Sequence, residues 1–165
     1  MKRSIALLSV MLSVASIAPV HAEVSSSDRD FVTKAVEAGL AEIAEARVAL
    51  KNSQRPDVQT FARRMIADHS KAHEQLKSIA KAAGIEVPAA PSDQDLMRLK
   101  AMGALAGTEF DNAYIQDQVK AHVAAVELFT QESSQGQDAQ LKSFAAATLP
   151  TLKEHDTMAK SLPLH

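Results

Sequence analysis

The sequence predicts an all-α protein, a four-helix bundle whose second and third helices are joined by a long crossover containing a short extra helix. Three observations predict it. Ala is abundant, Tyr occurs once, Trp is absent and β-branched runs are missing, a composition that favours helix throughout. Apolar residues recur at alternating spacings of four and three over long stretches, and Ser, Pro and Gly fall where those stretches begin and end.

Helix 1 is expected from about Asp28 to Asn52, opened by Ser27 with Asp30 three residues on, a variant of the capping box. Its apolar face is wide, running from Phe31 and Val32 to Ala46 and Leu50, and Glu42 lies inside that arc. Pro56 suits the first turn of helix 2, which runs to Ala83 and stops at Gly84. The seam of this helix is Val58, Ala62, Met65, His69, Ala72, Leu76, Ile79 and Ala83. After a loop with two prolines, Ser92 caps a short helix over Asp93 to Leu105. Thr108 with Asp111 caps helix 3, which continues to about Glu132 with Ile115, Val119, His122, Val126 and Phe129 on its seam. Helix 4 spans Asp138 to Ser161 and carries Leu141, Ala145, Thr148, Leu152, His155 and Ala159; Pro150 predicts a kink or short break near Thr148.

Short turns make helices 1 and 2, and helices 3 and 4, antiparallel pairs. The 24 residues from Gly84 to Gly107 can carry the chain back along the bundle and leave helices 2 and 3 parallel, as in ferritin-like folds.

Residues 1–22 read as a secretory signal peptide: Lys2-Arg3, an apolar run from Ile5 to Ala18, then Pro19 and Val20-His21-Ala22, with cleavage expected after Ala22. The remaining residues, 23–165, have the length of one domain. The mature chain is expected to be soluble, and periplasmic or otherwise exported. Cys is absent, so stability must come from packing rather than disulfides. Losing Lys2 and Arg3 leaves 16 of the 18 basic residues against 20 acidic ones, a net charge of -4. No basic cluster is interleaved with aromatic residues, which argues against nucleic-acid binding.

The chemically pointed feature is three histidines, His69, His122 and His155, each on the seam of a different helix where packing would favour Leu or Ala. Glu42, His69 and His122 each lie about 14 residues into their helices, roughly 20 Å, and so share a level near mid-bundle. His155 counts to about 9 Å past that level, where Tyr114 or Gln118 is the polar group of helix 3. Imidazoles and a carboxylate supply the nitrogen and oxygen donors suited to zinc, copper, iron or nickel, which makes Glu42, His69, His122 and His155 the candidate metal ligands. Asp68 and Glu154 each precede a seam histidine and point about 100° away, as partners behind or beside the ligands. His73, one turn after His69, reads as an edge residue. Glu37 and Glu45 read as solvated, Asp111 as a cap residue, Tyr114 as closing the bundle end, and Met65, Met97, Met102 and Met158 as core filling.

The run Phe61-Ala62-Arg63-Arg64-Met65-Ile66-Ala67-Asp68-His69, the Glu42 segment, Phe110-Asp111-Asn112-Ala113-Tyr114 followed by His122, and Leu149-Pro150-Thr151-Leu152-Lys153-Glu154-His155 resemble an exported bacterial ferritin-like family of unknown function, whose members are often labelled predicted outer membrane proteins. The resemblance covers about Asp28 to Leu162 and implies a helical bundle outside the cytoplasm, with no established activity. The alternating strands of a membrane barrel are missing. Di-iron bundles use Glu-x-x-His on two helices, whereas Ile66 and Leu152 stand three residues before His69 and His155. That disfavours a standard di-iron centre. Two readings stay open, an envelope or stress-related bundle that binds a transition metal, and a metal-free structural or interaction protein with internally hydrogen-bonded histidines. A metalloenzyme ranks third.

Overall fold

Ser25 opens the first helix, its hydroxyl accepting the amide of Asp28 at 3.1 Å. In this computed structural model, which describes residues 24–165, five helices follow one another: α1 (Ser26–Asn52), α2 (Pro56–Ala82), α3 (Asp93–Gly103), α4 (Gly107–Gln135) and α5 (Ala139–Ser161). The signal peptide read over residues 1–22 lies outside the described residues. No described helix is long and apolar enough to cross a membrane.

Most ends fall where local chemistry places them. Pro56 stands in the first turn of α2, Ser92 caps α3, Asp138 caps α5, and Gly84 after α2 takes a positive φ of 69°. Three expectations shift. The cap of α1 is Ser25 rather than Ser27, and α4 starts at Gly107 without the expected Thr108 cap. The α5 helix runs unbroken through Pro150, which is exposed, so no break occurs at Thr148.

The long helices α1, α2, α5 and α4 form a ring, with α1 packed on α2 and α4, and α5 on α4 and α2. Polar ties at the two ends set their directions. Asn52, at the end of α1, donates to the carbonyls of Gly103 and Leu105 just before α4. Asp28, at the start of α1, is fully buried and accepts the amides of Gln137 and Asp138 in the α4–α5 turn, at 3.0 and 2.9 Å. Helix α1 is therefore antiparallel to both α2 and α4, and α2 and α4 run parallel across the diagonal. The segment 84–106 crosses the length of the bundle, with α3 packed on α1 and α4. This is the expected connectivity, with one long crossover.

Asp28 thus joins the first helix to the last turn through two hydrogen bonds to an acidic side chain. Asp28→Ala is expected to cost about 2–3 kcal/mol, since both amides lose a charged acceptor. Urea unfolding checks this; a loss under about 0.5 kcal/mol would mean that solvent replaces the tie.

The core divides into two apolar layers. One joins Phe31, Val36, Leu76, Phe129, Phe144 and Leu152, with the Phe31 and Phe129 rings edge to face at 5.1 Å. The other joins Val58, Phe61, Met65, Phe110, Tyr114 and Ile115, where Tyr114 stacks on Phe110 at 6.1 Å. Tyr114 is fully buried within this layer and does not close the bundle end. Met102 and Met65 are buried, whereas Met97 is 67% exposed and fills no core. Between the layers lies a polar belt.

Candidate metal centre

Three seam positions meet in that belt. The ring centroids of His69 on α2 and His122 on α4 are 5.7 Å apart, and His155 on α5 is 5.4 Å from each. One nitrogen of each ring lies within 4.8 Å of the others. All three side chains are buried.

His155 comes to the level of its partners for two reasons. Helix α4 extends to Gln135, three residues beyond the expected end at Glu132. Gln135 is then 13 residues past His122, while His155 is 16 past Ala139, leaving an offset of about 4.5 Å. The Cα–Cβ bonds of antiparallel helices tilt in opposite directions, each toward its own N-terminus. His155 therefore leans back toward the α4–α5 turn and His122 away from it, and the two rings meet.

The polarity of each imidazole follows from what holds its outer nitrogen. His122 Nδ1 lies 2.8 Å from the Gln118 carbonyl, which can only accept, so Nδ1 carries the hydrogen. His155 Nε2 lies 2.9 Å from Asp68 Oδ2. Burial works to raise the Asp68 carboxyl, but Arg64 and His155 together hold it below its ordinary value, so it is an ionised acceptor. His69 Nδ1 lies 3.0 Å from Glu42 Oε2. Burial likewise opposes ionisation of Glu42, yet the charge and hydrogen bond of His69, with His122 and His155 beyond, leave its pKa below the usual carboxylate value.

Each ring therefore donates outward. The nitrogens left without a hydrogen-bond partner are His69 Nε2, His122 Nε2 and His155 Nδ1, and in the neutral rings each presents a lone pair. Burial opposes a charge on His69, but the charge and hydrogen bond of Glu42 raise its pKa above the ordinary value; a buried acceptor left without a donor costs on the order of 1–3 kcal/mol. Metal-bound histidines typically have their second nitrogen fixed in this way by a carboxylate or carbonyl.

Glu42 sits behind this group. Its Oε1 is 3.6 Å from His122 Nδ1, so the carboxylate spans the outer nitrogens of two rings rather than joining the three inner ones. Asp68 serves not the histidine beside it in sequence but His155 across the α2–α5 contact, and Arg64 ties Asp68 to Glu154. The 100° offset from His69 turns Asp68 toward α5; that was the signal in the sequence. His73 is half-buried at the edge, as expected.

A second polar group lies one turn along α1. Glu45, expected to be solvated, is completely buried; it accepts from Gln118 Nε2 at 2.9 Å and from Arg98 of α3 at 3.1 Å. Arg98 also pairs with Asp95 and Asp117. Asp111 is buried rather than capping a helix. Both acids are covered by long-range packing that helical periodicity does not report.

Residues 14–162 match the family described as a domain of unknown function, DUF4142. The chain belongs to this family. No curated protein matches it. Among solved structures, the DUF4142 bundle is similar to a DUF305 fragment from Deinococcus radiodurans, with a TM-score of 0.74 at 12% identity, covering 84% of this chain and 96% of that one. It is also similar to CopM in its Cu(I)-bound form, with a TM-score of 0.68 at 16% identity and coverage of 81% and 92%. A third similar structure, named as a secreted DUF305 protein from Streptomyces coelicolor, has a TM-score of 0.65 at 13% identity, covering 81% and 88%. At these identities the likeness is one of fold. Neither a ferritin relationship nor an outer-membrane location forms part of these descriptions.

Proposed function

We propose that this DUF4142 protein is an exported, single-domain bundle that binds one transition-metal ion through His69 Nε2, His122 Nε2 and His155 Nδ1. Glu42, the Gln118 carbonyl and Asp68 orient the three rings from behind. The observation that carries this reading is that one nitrogen of each buried ring lies within 4.8 Å of the others, while one nitrogen of each faces an acceptor and the second has no hydrogen-bond partner. A cation satisfies the lone pairs of all three neutral rings at once.

The donor set narrows the metal. Zinc and copper accept imidazole-rich sites at about 2.0–2.1 Å, which places ligand nitrogens roughly 3.3–3.6 Å apart. The present spread is within 4.8 Å, so the widest pair closes by on the order of 1 Å on binding. Hard oxygen-preferring ions are disfavoured because no carboxylate joins the inner group. The shared fold with CopM, a protein seen with Cu(I), adds weight to copper. Export rests on the signal-peptide pattern of residues 1–22 and agrees with the fold shared with a protein named as secreted.

The mature chain, expressed without a histidine tag, is expected to retain about one copper or zinc ion after exposure to zinc, copper, iron and nickel and removal of free metal. Mass spectrometry counts it. His122→Ala should lose the ion and keep its helicity. Wild-type protein that retains no metal, or a His122→Ala variant that retains it fully, would overturn the assignment. The competing reading, a metal-free interaction protein, draws on the buried Glu42–His69 pair, which gives His69 Nδ1 a partner without an ion.

A further inference from the structure

A cavity of about 530 Å³ opens beside the histidines, within the range of small-molecule sites. Glu42, His69 and His155 line it together with the apolar Leu76, Phe129 and Phe144. Helical cores normally fill such space to crystal-like density. Here small side chains leave it empty: Ala38 and Gly39 on α1, and Ala121, Ala124 and Ala125 on α4, border the cavity where those helices pack. Ala38 and Ala124 are exposed and mark a mouth. A Cβ at Gly39 would come no closer than 4.0 Å to the His69 ring, so the glycine leaves space there without being required by contact.

The lining combines apolar and polar chemistry. Three of the lining residues are more than nine-tenths buried and carry an unpartnered atom: Glu42 Oε1, His69 Nε2 and His155 Nδ1. Lys34 and Lys120, both exposed, also border the cavity, and neither forms an ion pair among the described residues. Arg98 borders the cavity too, as do the acidic Asp68, Asp95 and Asp117, so the lysines are the cations on its lining that are free to meet an anion. A cation held by three neutral imidazoles keeps its own charge and, in the usual four-coordinate case, one free position.

We infer that this cavity is a ligand site for a small molecule with a flat or slender apolar body and a single anionic head, entering between α1 and α4 and placing its head on the bound metal. The head position rests on the proposed metal centre; the apolar cavity does not. The shared requirement is a carboxylate-like head on an apolar body, so naphthoate is a suitable probe and acetate its headgroup control.

Zinc-loaded mature protein is titrated with each by fluorescence and competition. Naphthoate is expected to bind at least tenfold more tightly than acetate, and Ala125→Phe, which fills the cavity, should abolish the difference with zinc still bound. Ala124→Trp at the exposed mouth serves if Ala125→Phe fails to fold. Equal affinity for the two acids, or naphthoate binding unchanged in the filled variant, overturns the inference. Metal-free protein is titrated with neutral naphthalene to separate the two readings. If zinc is not retained, the head position falls with the metal centre, while naphthalene uptake lost in Ala125→Phe still supports the apolar site. Absence of naphthalene uptake overturns that too.

Discussion

Saturating metal is expected to raise the thermal unfolding midpoint by roughly 10–15 °C, and His155→Ala should erase that rise. An ion that binds the folded chain at a thousandfold excess over its Kd stabilises by about 4 kcal/mol, and each kcal/mol moves a domain of this length by a few degrees. His155 is the sharpest test because it is the candidate that simple counting along the helices set apart. Its removal leaves two imidazoles, too few to hold zinc or copper tightly against water. Asp68→Asn should have a graded effect, weakening metal binding about 10–100-fold, because it keeps the shape but withdraws the charge that orients His155. Scanning calorimetry with and without metal reads both variants. A full metal-induced shift in His155→Ala would remove His155 from the centre.

Arg98→Met should produce a large loss of stability once Glu45 is ionised. Glu45 is buried without any solvent contact and depends on Arg98 and Gln118 for its hydrogen bonds. Breaking a buried pair typically costs about 3–5 kcal/mol. The Arg98 side chain is 36% exposed, and screening there lowers the expectation to about 2–3 kcal/mol.

The loss should also depend on pH. Burial, then the charge of Asp117, pushes the Glu45 carboxyl up to about 8 despite Arg98. Because the folded value lies above the ordinary 4.5, the native state keeps a proton that the unfolded chain has already released. The stability from this group is complete below about pH 4.5 and is lost as pH rises through about 8. Beyond its pairs with Asp95 and Asp117, Arg98 gains a charged partner once Glu45 is ionised, so Arg98→Met should cost more at pH 9 than at pH 5. Urea unfolding of wild type, Arg98→Met and Glu45→Gln at both pH values separates the effects. An equal loss at pH 5 and pH 9 would exclude Glu45 as its source.

Helix number, order and most boundaries were legible from residue spacing, because a helix buries one stripe and repeats it every three or four residues. The same rule exposed His69, His122 and His155, each occupying a stripe position, and the length of the crossover pointed to the direction of α4. Capping was less readable where Ser25 and Ser27 offered equivalent hydroxyls two residues apart. Glu45 escaped because its covering comes from α3, a segment about fifty residues away whose resting place no local pattern encodes.

The sequence by itself determined an all-helical chain with polar groups on three apolar seams, since both features arise from short-range periodicity. Tertiary structure alone decided that His155 reaches the level of the others, which nitrogen of each ring faces an acceptor, and that Glu42 bonds the His69 ring. Those outcomes depend on the opposed tilt of side chains on antiparallel helices and on acceptors supplied by neighbouring elements, Asp68 from α2 to α5 and Glu42 from α1 to α2. Such relations exist only after the helices have packed.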